Sequence, residues 1–329
     1  MGIFAGKRIT ITGGLGFLGS SLAVKLSWAN AKITIIDNLA PLYGANYFNL
    51  NHSNRKNINV IIGDIRNKDL LKDIIKNSEF IFHFAAQVSY IDSLNMPFDD
   101  LEINVGGTLN ILEILRNHNR KARLFFASSR LVLGSALENN IKESHPPQPI
   151  SLYGIHKLTS ENHILIYYKN FGIRSTILRI TNPYGPRQQI KHDKYSLVGW
   201  FIRQAMEDKT IKIFGTGSQR RDYIYIDDIS RAIILLAKNE NSSGEIFNVG
   251  CGKSIEFKEM VKKIVKIVGR GNIVFVDWPE DYEKIETGNI QIDTGKIFKL
   301  TGWKAKVNLD EGIQRTYDYY SKYFNKYVG

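Results

Sequence analysis

A β-branched run, Ile9-Thr10-Ile11-Thr12, passes directly into Gly13-Gly14-Leu15-Gly16-Phe17-Leu18-Gly19, and a second such run, Ile33-Thr34-Ile35-Ile36, closes on Asp37. A strand that turns at once into a helix through glycines 14, 16 and 19 has the GxGxxG spacing of a dinucleotide-binding βαβ unit. The first glycines let the backbone turn tightly, Gly16 lets a pyrophosphate approach it, and Gly19 lets the next helix pack against the strand. The helix N-terminus then offers its free N–H groups to the phosphates. Gly13, Gly16, Phe17, Leu18 and Gly19 are thus the expected phosphate loop, with Asp37 and Asn38 the expected partners of an adenosine ribose. Asn38 and Leu39 follow Asp37 with no Arg or Lys to neutralise a 2′-phosphate, so NAD is expected rather than NADP. Glycines alone serve any tight strand-to-helix turn; the strand before, the helix after and the acid at this distance give these ones their meaning.

Short apolar runs alternate with amphipathic stretches through the first 180 residues: Val60-Ile61-Ile62, Phe80-Ile81-Phe82, Leu124-Phe125-Phe126-Ala127 and Ser175-Thr176-Ile177-Leu178 read as strands. Helix patterns over 101–117 and 156–170 lie between them. Such alternation predicts an α/β chain with a doubly wound parallel sheet of the Rossmann kind, covered on both faces. The rhythm breaks at Asn182-Pro183-Tyr184-Gly185-Pro186. A dinucleotide-binding domain over 1–180 is therefore expected, with 181–329 forming mainly a smaller substrate-binding lobe. A segment near 222–250 is expected to return to the first domain, and 309–323 to form a closing helix.

The 44 Lys and Arg against 32 Asp and Glu leave a net charge of +12. The lysines are scattered among Asn and Ile rather than gathered in a stripe, so no nucleic-acid partner is expected, and the excess suits an acidic small molecule. Cys251 is the only cysteine, which excludes an intrachain disulfide and a cysteine metal site, and its neighbours supply no base. No metal is expected. No apolar run approaches the roughly 18 residues that span a bilayer, and a strand begins almost at once with no signal peptide ahead. A cytoplasmic protein with no membrane insertion is the expectation.

Tyr153 and Lys157 stand four apart at the start of a helical pattern, so they share a face, and Ser129 follows the strand that ends near Ala127. That strand edge is where α/β sheets place ligands. On its own the Tyr/Lys spacing is common on exposed helix faces. Beside a dinucleotide it becomes a proton-transfer set, with Tyr153 taking the proton of a hydroxyl while hydride leaves the same carbon and Ser129 holding the developing alkoxide. Bringing a phenol from its ordinary value near 10 to neutrality takes about 4 kcal/mol, which Lys157 and an oxidised nicotinamide are expected to supply together.

With these residues in place the chain resembles, over nearly its whole length, the extended short-chain dehydrogenase/reductases of the NAD-dependent epimerase/dehydratase type. Gly63-Asp64-Ile65 resembles that family's adenine-side Gly-Asp-Ile. His83-Phe84-Ala85-Ala86-Gln87 resembles its His-x-Ala-Ala passage beside the cofactor, and Asn104 with Gly107-Thr108 its Asn-x-x-Gly-Thr helix. Tyr153 to Lys157 matches its Tyr-x-x-x-Lys, Arg179 to Arg187 its Arg-x-x-Asn-x-Tyr-Gly-Pro-Arg, and Arg221 to Asp228 the segment whose arginine grips a nucleotide diphosphate. The resemblance implies cofactor contacts from Asp64, Ile65, Phe84, Ala85, Ala86, Asn104, Tyr153 and Lys157. It implies substrate contacts from Gln87, Ser89, Ser129, Asn182, Arg187 and Arg221. It also implies a homodimer, for which Leu165, Ile166 and Tyr168 are equally an exposed apolar stripe or core.

Departures from the family pattern narrow the reaction. Where 4,6-dehydratases follow the catalytic Ser or Thr with Asp-Glu, this chain has Arg130 and Leu131, which argues against water elimination; decarboxylating relatives also keep a Glu at Leu131. No Cys stands in this loop, as in members that epimerise carbons 3 and 5. Leu133 replaces a usual tyrosine, and Glu283 falls about where many relatives carry a diphosphate-holding arginine, with Lys284 next to it as a substitute. The expected activity is an NAD-dependent nucleotide-sugar 4-epimerase acting on a UDP-hexose or UDP-N-acetylhexosamine. A nucleotide-4-keto-6-deoxy-sugar reductase uses the same residues, and an NAD-sensing regulatory protein needs only the glycine loop.

Overall fold

A computed structural model of the protein describes residues 2–135, 140–284 and 286–328. Its strands are β1 (Arg8–Thr12), β2 (Lys32–Asp37), β3 (Ile58–Ile62), β4 (Phe80–His83), β5 (Arg123–Ser129), β6 (Ser175–Ile180), β7 (Asn182–Tyr184), β8 (Thr210–Phe214), β9 (Arg220–Tyr225), β10 (Glu245–Val249), β11 (Ser254–Glu256) and β12 (Asn272–Val276). Seven of them form one parallel sheet in the order β10-β6-β5-β4-β1-β2-β3. The order reverses between β1 and β4, and a doubly wound sheet opens its ligand crevice at that point, beyond the carboxyl ends of the strands. The four apolar runs read as strands all lie within β3 to β6.

The sheet is buried on both faces because its strands alternate between two cores. Phe80, Phe82, Phe125 and Leu178 face the helices Phe17–Ser27 and Ile226–Ala237. Ile81, Leu124, Phe126 and Ile177 face the helices Lys68–Ile75, Gly107–His118 and Leu152–Phe171. After Ile180 the chain builds two small sheets, β11-β9-β7 and β12-β8, and returns to the main sheet with β10, which pairs in parallel with β6.

The sequence reads 101–117 as one helix; the structure divides it. Pro97–Leu101 is followed by a widened π turn, Glu102–Gly106, before the helix resumes at Gly107. Such turns cluster at functional sites. Along the Leu152–Phe171 helix, Leu165 packs against the second core, whereas Ile166 and Tyr168 are exposed. None of the described helices is long and apolar enough to cross a membrane.

Candidate active site

At the carboxyl edge of the sheet lies a cavity of about 600 Å³, reaching from the glycine loop to β8 and Trp278. Its first wall follows from β1. The chain leaves Thr12 through Gly13, which takes φ +67° and sits so close to β4's extension that a Cβ would lie 2.7 Å from the amide nitrogen of Ala85. Gly19 backs onto the same turn: a Cβ there would lie 2.3 Å from the Gly13 carbonyl oxygen. Only residues without a Cβ permit this closure. The helix that follows starts at Gly16, which has no side chain to cap it, so its first N–H groups stay available at the cavity wall with Phe17 and Leu18.

Asp37 lines the cavity and braces this loop, accepting the amides of Leu15 and Leu39 at 3.0 Å each on its two carboxylate oxygens. Burial pushes its pKa up against these hydrogen bonds. A carboxylate has about four acceptor positions, so capacity remains for ribose hydroxyls. Asn38 donates to Asp64 at 3.1 Å, and Arg66 grips Asp64 with its Nε and Nη2 at 3.0 and 2.9 Å, holding that carboxyl below its ordinary value. Ile65, Phe84, Ala85 and Ala86 complete the wall. A glycine cradle that a Cβ would fill, an uncapped helix start and a buried acid fit a dinucleotide.

Ser151 caps the Leu152–Phe171 helix by accepting the Gly154 amide at 3.1 Å, which sets Tyr153 and Lys157 in the first two turns, facing β5. Both are buried and line the cavity with Ser129. The Lys157 ammonium stands 4.5 Å from the centre of the Phe126 ring. The phenol does not behave as expected. Burial raises the Tyr153 pKa, Asp100 adds to the rise, and only the hydrogen bond with Ser129 opposes it. Burial also pulls Lys157 down to about 8, against Asp100 and Glu161. The protein alone therefore supplies no lowered phenol, because burial and Asp100 outweigh the Ser129 hydrogen bond.

Behind this pair stands a network that no local motif announces. Asp100, fully buried, pairs with His156 Nδ1 at 2.5 Å and accepts from Asn104 Nδ2 at 3.1 Å, although Asp100 and His156 lie 56 residues apart in the chain. Arg179 and Glu161 form a buried ion pair at 2.7 Å, and Ser128 donates to the same Glu161.

Several residues expected at the site are engaged elsewhere. Asn104 does not line the cavity; it sits in the π turn and donates to the Gln87 carbonyl at 3.1 Å. Gln87 and Ser89 are buried against each other, with Gln87 Nε2 donating to the Ser89 carbonyl at 2.7 Å and Ser89 capping the Tyr90–Asn95 helix. Neither reaches the cavity. Arg187, at φ +74°, turns away to donate to the Asn49 carbonyl at 3.0 Å. Lys284 pairs outside the cavity with Glu280 at 2.6 Å. Asn182 and Arg221 do line it, together with Arg130, Tyr223 and Glu286, and Arg221 forms an ion pair with Glu286.

Comparison with known proteins agrees with this geometry. The family model described as NAD dependent epimerase/dehydratase family matches residues 9–250. A protein of Methanocaldococcus jannaschii provisionally named as a UDP-glucose 4-epimerase is 35% identical over 313 residues, spanning 93% of this chain and 96% of that one. The dTDP-D-glucose 4,6-dehydratase of Bos taurus is 28% identical over 98% of this chain and 90% of its own. Among solved structures, the UDP-glucose 4-epimerase of Thermus thermophilus in complex with NAD superposes with a TM-score of 0.85 at 27% identity, covering 95% of this chain and 99% of that one.

Proposed function

Because the chain belongs to the NAD-dependent epimerase/dehydratase family and its cofactor is NAD, we propose that it is a nucleotide-sugar 4-epimerase, with a UDP-hexose or UDP-N-acetylhexosamine as substrate. One observation carries the reading. The reacting end of the cavity holds the proton-transfer set Ser129, Tyr153 and Lys157, and the two positions after Ser129 are Arg130 and Leu131, neither able to protonate a departing hydroxyl or take a carbon-bound proton. That leaves one proton and one hydride at one carbon.

NAD, held by the glycine loop and Asp37, would supply the acceptor and donor for a hydride at sugar carbon 4 and, in its oxidised form, a positive charge near the buried phenol. Tyr153 accepts the C4 hydroxyl proton and later gives it back. Ser129, already hydrogen-bonded to Tyr153, steadies the oxygen as its charge grows. Lys157 lies one helical turn further, where its charge favours the phenolate. The glycine loop, Asp37, Asn38, Asp64, Ile65, Phe84, Ala85 and Ala86 hold the dinucleotide in this reading, and Asn182 and Arg221 meet the sugar nucleotide. Residues 1–180 with the returning β10 segment then serve the cofactor, and most of 181–329 the substrate. A homodimer is part of the proposal, supported by exposed apolar side chains on the helices at 90–101 and 152–171.

The test is proton NMR of the protein with UDP-, dTDP- and GDP-hexoses and N-acetylhexosamines and only trace NAD. The expected result is the 4-epimer at many turnovers per cofactor, reduced about 10²- to 10⁴-fold by Tyr153→Phe. Full activity of that variant would remove the mechanism. No epimer, with NADH consumed on a 4-keto-6-deoxy sugar nucleotide, would identify the reductase instead.

A further inference from the structure

Beyond Ser129 the cavity ends in a cluster with more donors than acceptors. Arg130 donates through Nε to Asn182 Oδ1 at 3.1 Å and through Nη1 to Thr287 Oγ1 at 2.7 Å, both neutral acceptors. Among the described residues no carboxylate forms an ion pair with it. Glu286 acts on it only from a distance; its Oε1 accepts from Arg221 and from the Gly288 amide at 2.9 Å. Arg221 and Tyr223 lie two apart on β9, hence on one face of the strand, and both line the cavity. The Tyr223 hydroxyl is buried there with no hydrogen-bond partner. Two guanidinium groups and a phenol thus share one carboxylate, and a buried cation left unpaired is costly. Burial and the neighbouring Arg221 already pull the Arg130 pKa down to about 10.

We propose that Arg130, with Tyr223 beside it, selects a carboxylate on the sugar ring, so that the preferred substrate is a nucleoside diphosphate uronic acid. This rests on the epimerase reading and replaces the hexose of that reading by its uronic acid. Position decides between sugar and diphosphate. Arg130 follows Ser129 directly, its Cα about 3.8 Å further along the chain, and Ser129 bonds the reacting phenol. Arg130 is therefore anchored at the reacting end by its backbone, and its guanidinium is pinned by Asn182 and Thr287. Arg221 is held instead by the Arg220 and Gly288 carbonyls and by Glu286, on the second lobe. A planar carboxylate gives a guanidinium two parallel acceptors and also accepts from a phenol. A hydroxymethyl group in that place leaves the positive charge uncompensated.

The probes are UDP-glucuronate, UDP-glucose and UDP, titrated calorimetrically into the NAD-loaded protein. UDP-glucuronate is expected to bind about 10- to 100-fold more tightly than UDP-glucose, the ratio falling toward one in Arg130→Gln and part-way in Tyr223→Phe. Equal affinities in the unaltered protein, or failure of UDP-glucuronate to bind, would overturn the proposal. So would an Arg130→Gln variant that loses UDP as severely as UDP-glucuronate, since Arg130 would then hold the diphosphate. If Arg130→Gln does not fold, the wild-type ratio and Tyr223→Phe decide. Product analysis of the same mixtures separates the two readings. Selective uronate binding without a 4-epimer removes the epimerase and leaves the Arg130 assignment, whereas epimerisation of UDP-glucose with no uronate preference does the reverse.

Discussion

Lys157 shows how one residue's environment reaches both chemistry and stability. Its ammonium is buried over Phe126, and burial brings its pKa from the ordinary 10.5 to about 8. Below pH 8 the lysine is protonated whether the chain is folded or not, and the cost of burying the charge is fully present. Between pH 8 and 10.5 the folded protein has released the proton that the unfolded chain still holds, so stability rises with pH; above 10.5 nothing further changes. The unfolding free energy of the wild type, relative to Lys157→Met, is therefore expected to climb by up to about 3 kcal/mol across that window. Urea denaturation at stepped pH measures it, and a flat difference would mean that the ammonium is not desolvated. His83 illustrates the opposite use of burial. Thr108 gives its hydroxyl proton to the Asn104 carbonyl at 2.6 Å, so it accepts from His83 Nε2, and Thr12 donates to Nδ1 at 2.7 Å. Burial and Lys157 bring this histidine down to about 3, so it stays neutral as a strut between β1, β4 and the π turn.

At the scale of elements, the strands and the glycine loop were legible because their causes are local: β-branched runs, a glycine spacing, an acid at a fixed distance. The π turn was not. Its widened carbonyl at Asn104 is held by Thr108 and by Ser160 Oγ at 2.9 Å, and Ser160 lies on another helix 56 residues away. Gln87, Ser89 and Arg187 mark the same boundary. Their motifs are intact in the sequence, yet what each side chain touches depends on whichever backbone the fold brings beside it. The homodimer is a question of elements too. The segments Tyr90–Asn95 and Pro97–Leu101 pack on the Leu152–Phe171 helix and leave Leu94, Met96, Phe98, Ile155 and Ile166 exposed, Phe98 by 77%. Isolated exposed apolar residues need no explanation, but several on adjoining helices mark an interaction surface. Light scattering is expected to give twice the 37.5 kDa chain mass, and Phe98→Asp to shift it toward one chain. A wild-type monomer at micromolar concentration would end that proposal.

Across the whole molecule, Asn49 ties the glycine loop to the helix Asn325–Val328. Asn49 Nδ2 donates to the Leu15 carbonyl, inside the glycine loop, at 2.7 Å, and its Oδ1 accepts the Tyr327 hydroxyl at 2.6 Å. Arg187 holds the Asn49 backbone, Asn46 Nδ2 reaches the Lys326 carbonyl at 2.8 Å, and Tyr320 donates to the Gln188 carbonyl at 2.5 Å. The closing helix over 309–323 was legible in the sequence, but not the tie made just after it by Lys326 and Tyr327 in the helix Asn325–Val328, whose partners stand some 280 residues earlier. The connection makes the glycine loop depend on packing at the far end of the chain. Tyr327→Phe deletes a single hydroxyl about two hydrogen bonds from the loop and leaves Asn49 Oδ1 buried without that donor, a loss of roughly 1 kcal/mol. If the loop's geometry is held through Asn49, that loss appears partly as weaker NAD binding, a several-fold rise in Kd by fluorescence titration, and partly as a lower Tm. A lower Tm with unchanged NAD affinity would show that the tie steadies the fold but ends before the phosphate loop. The outcome distinguishes a cofactor site built by its own βαβ unit from one that also needs residues some 280 positions later packed behind it.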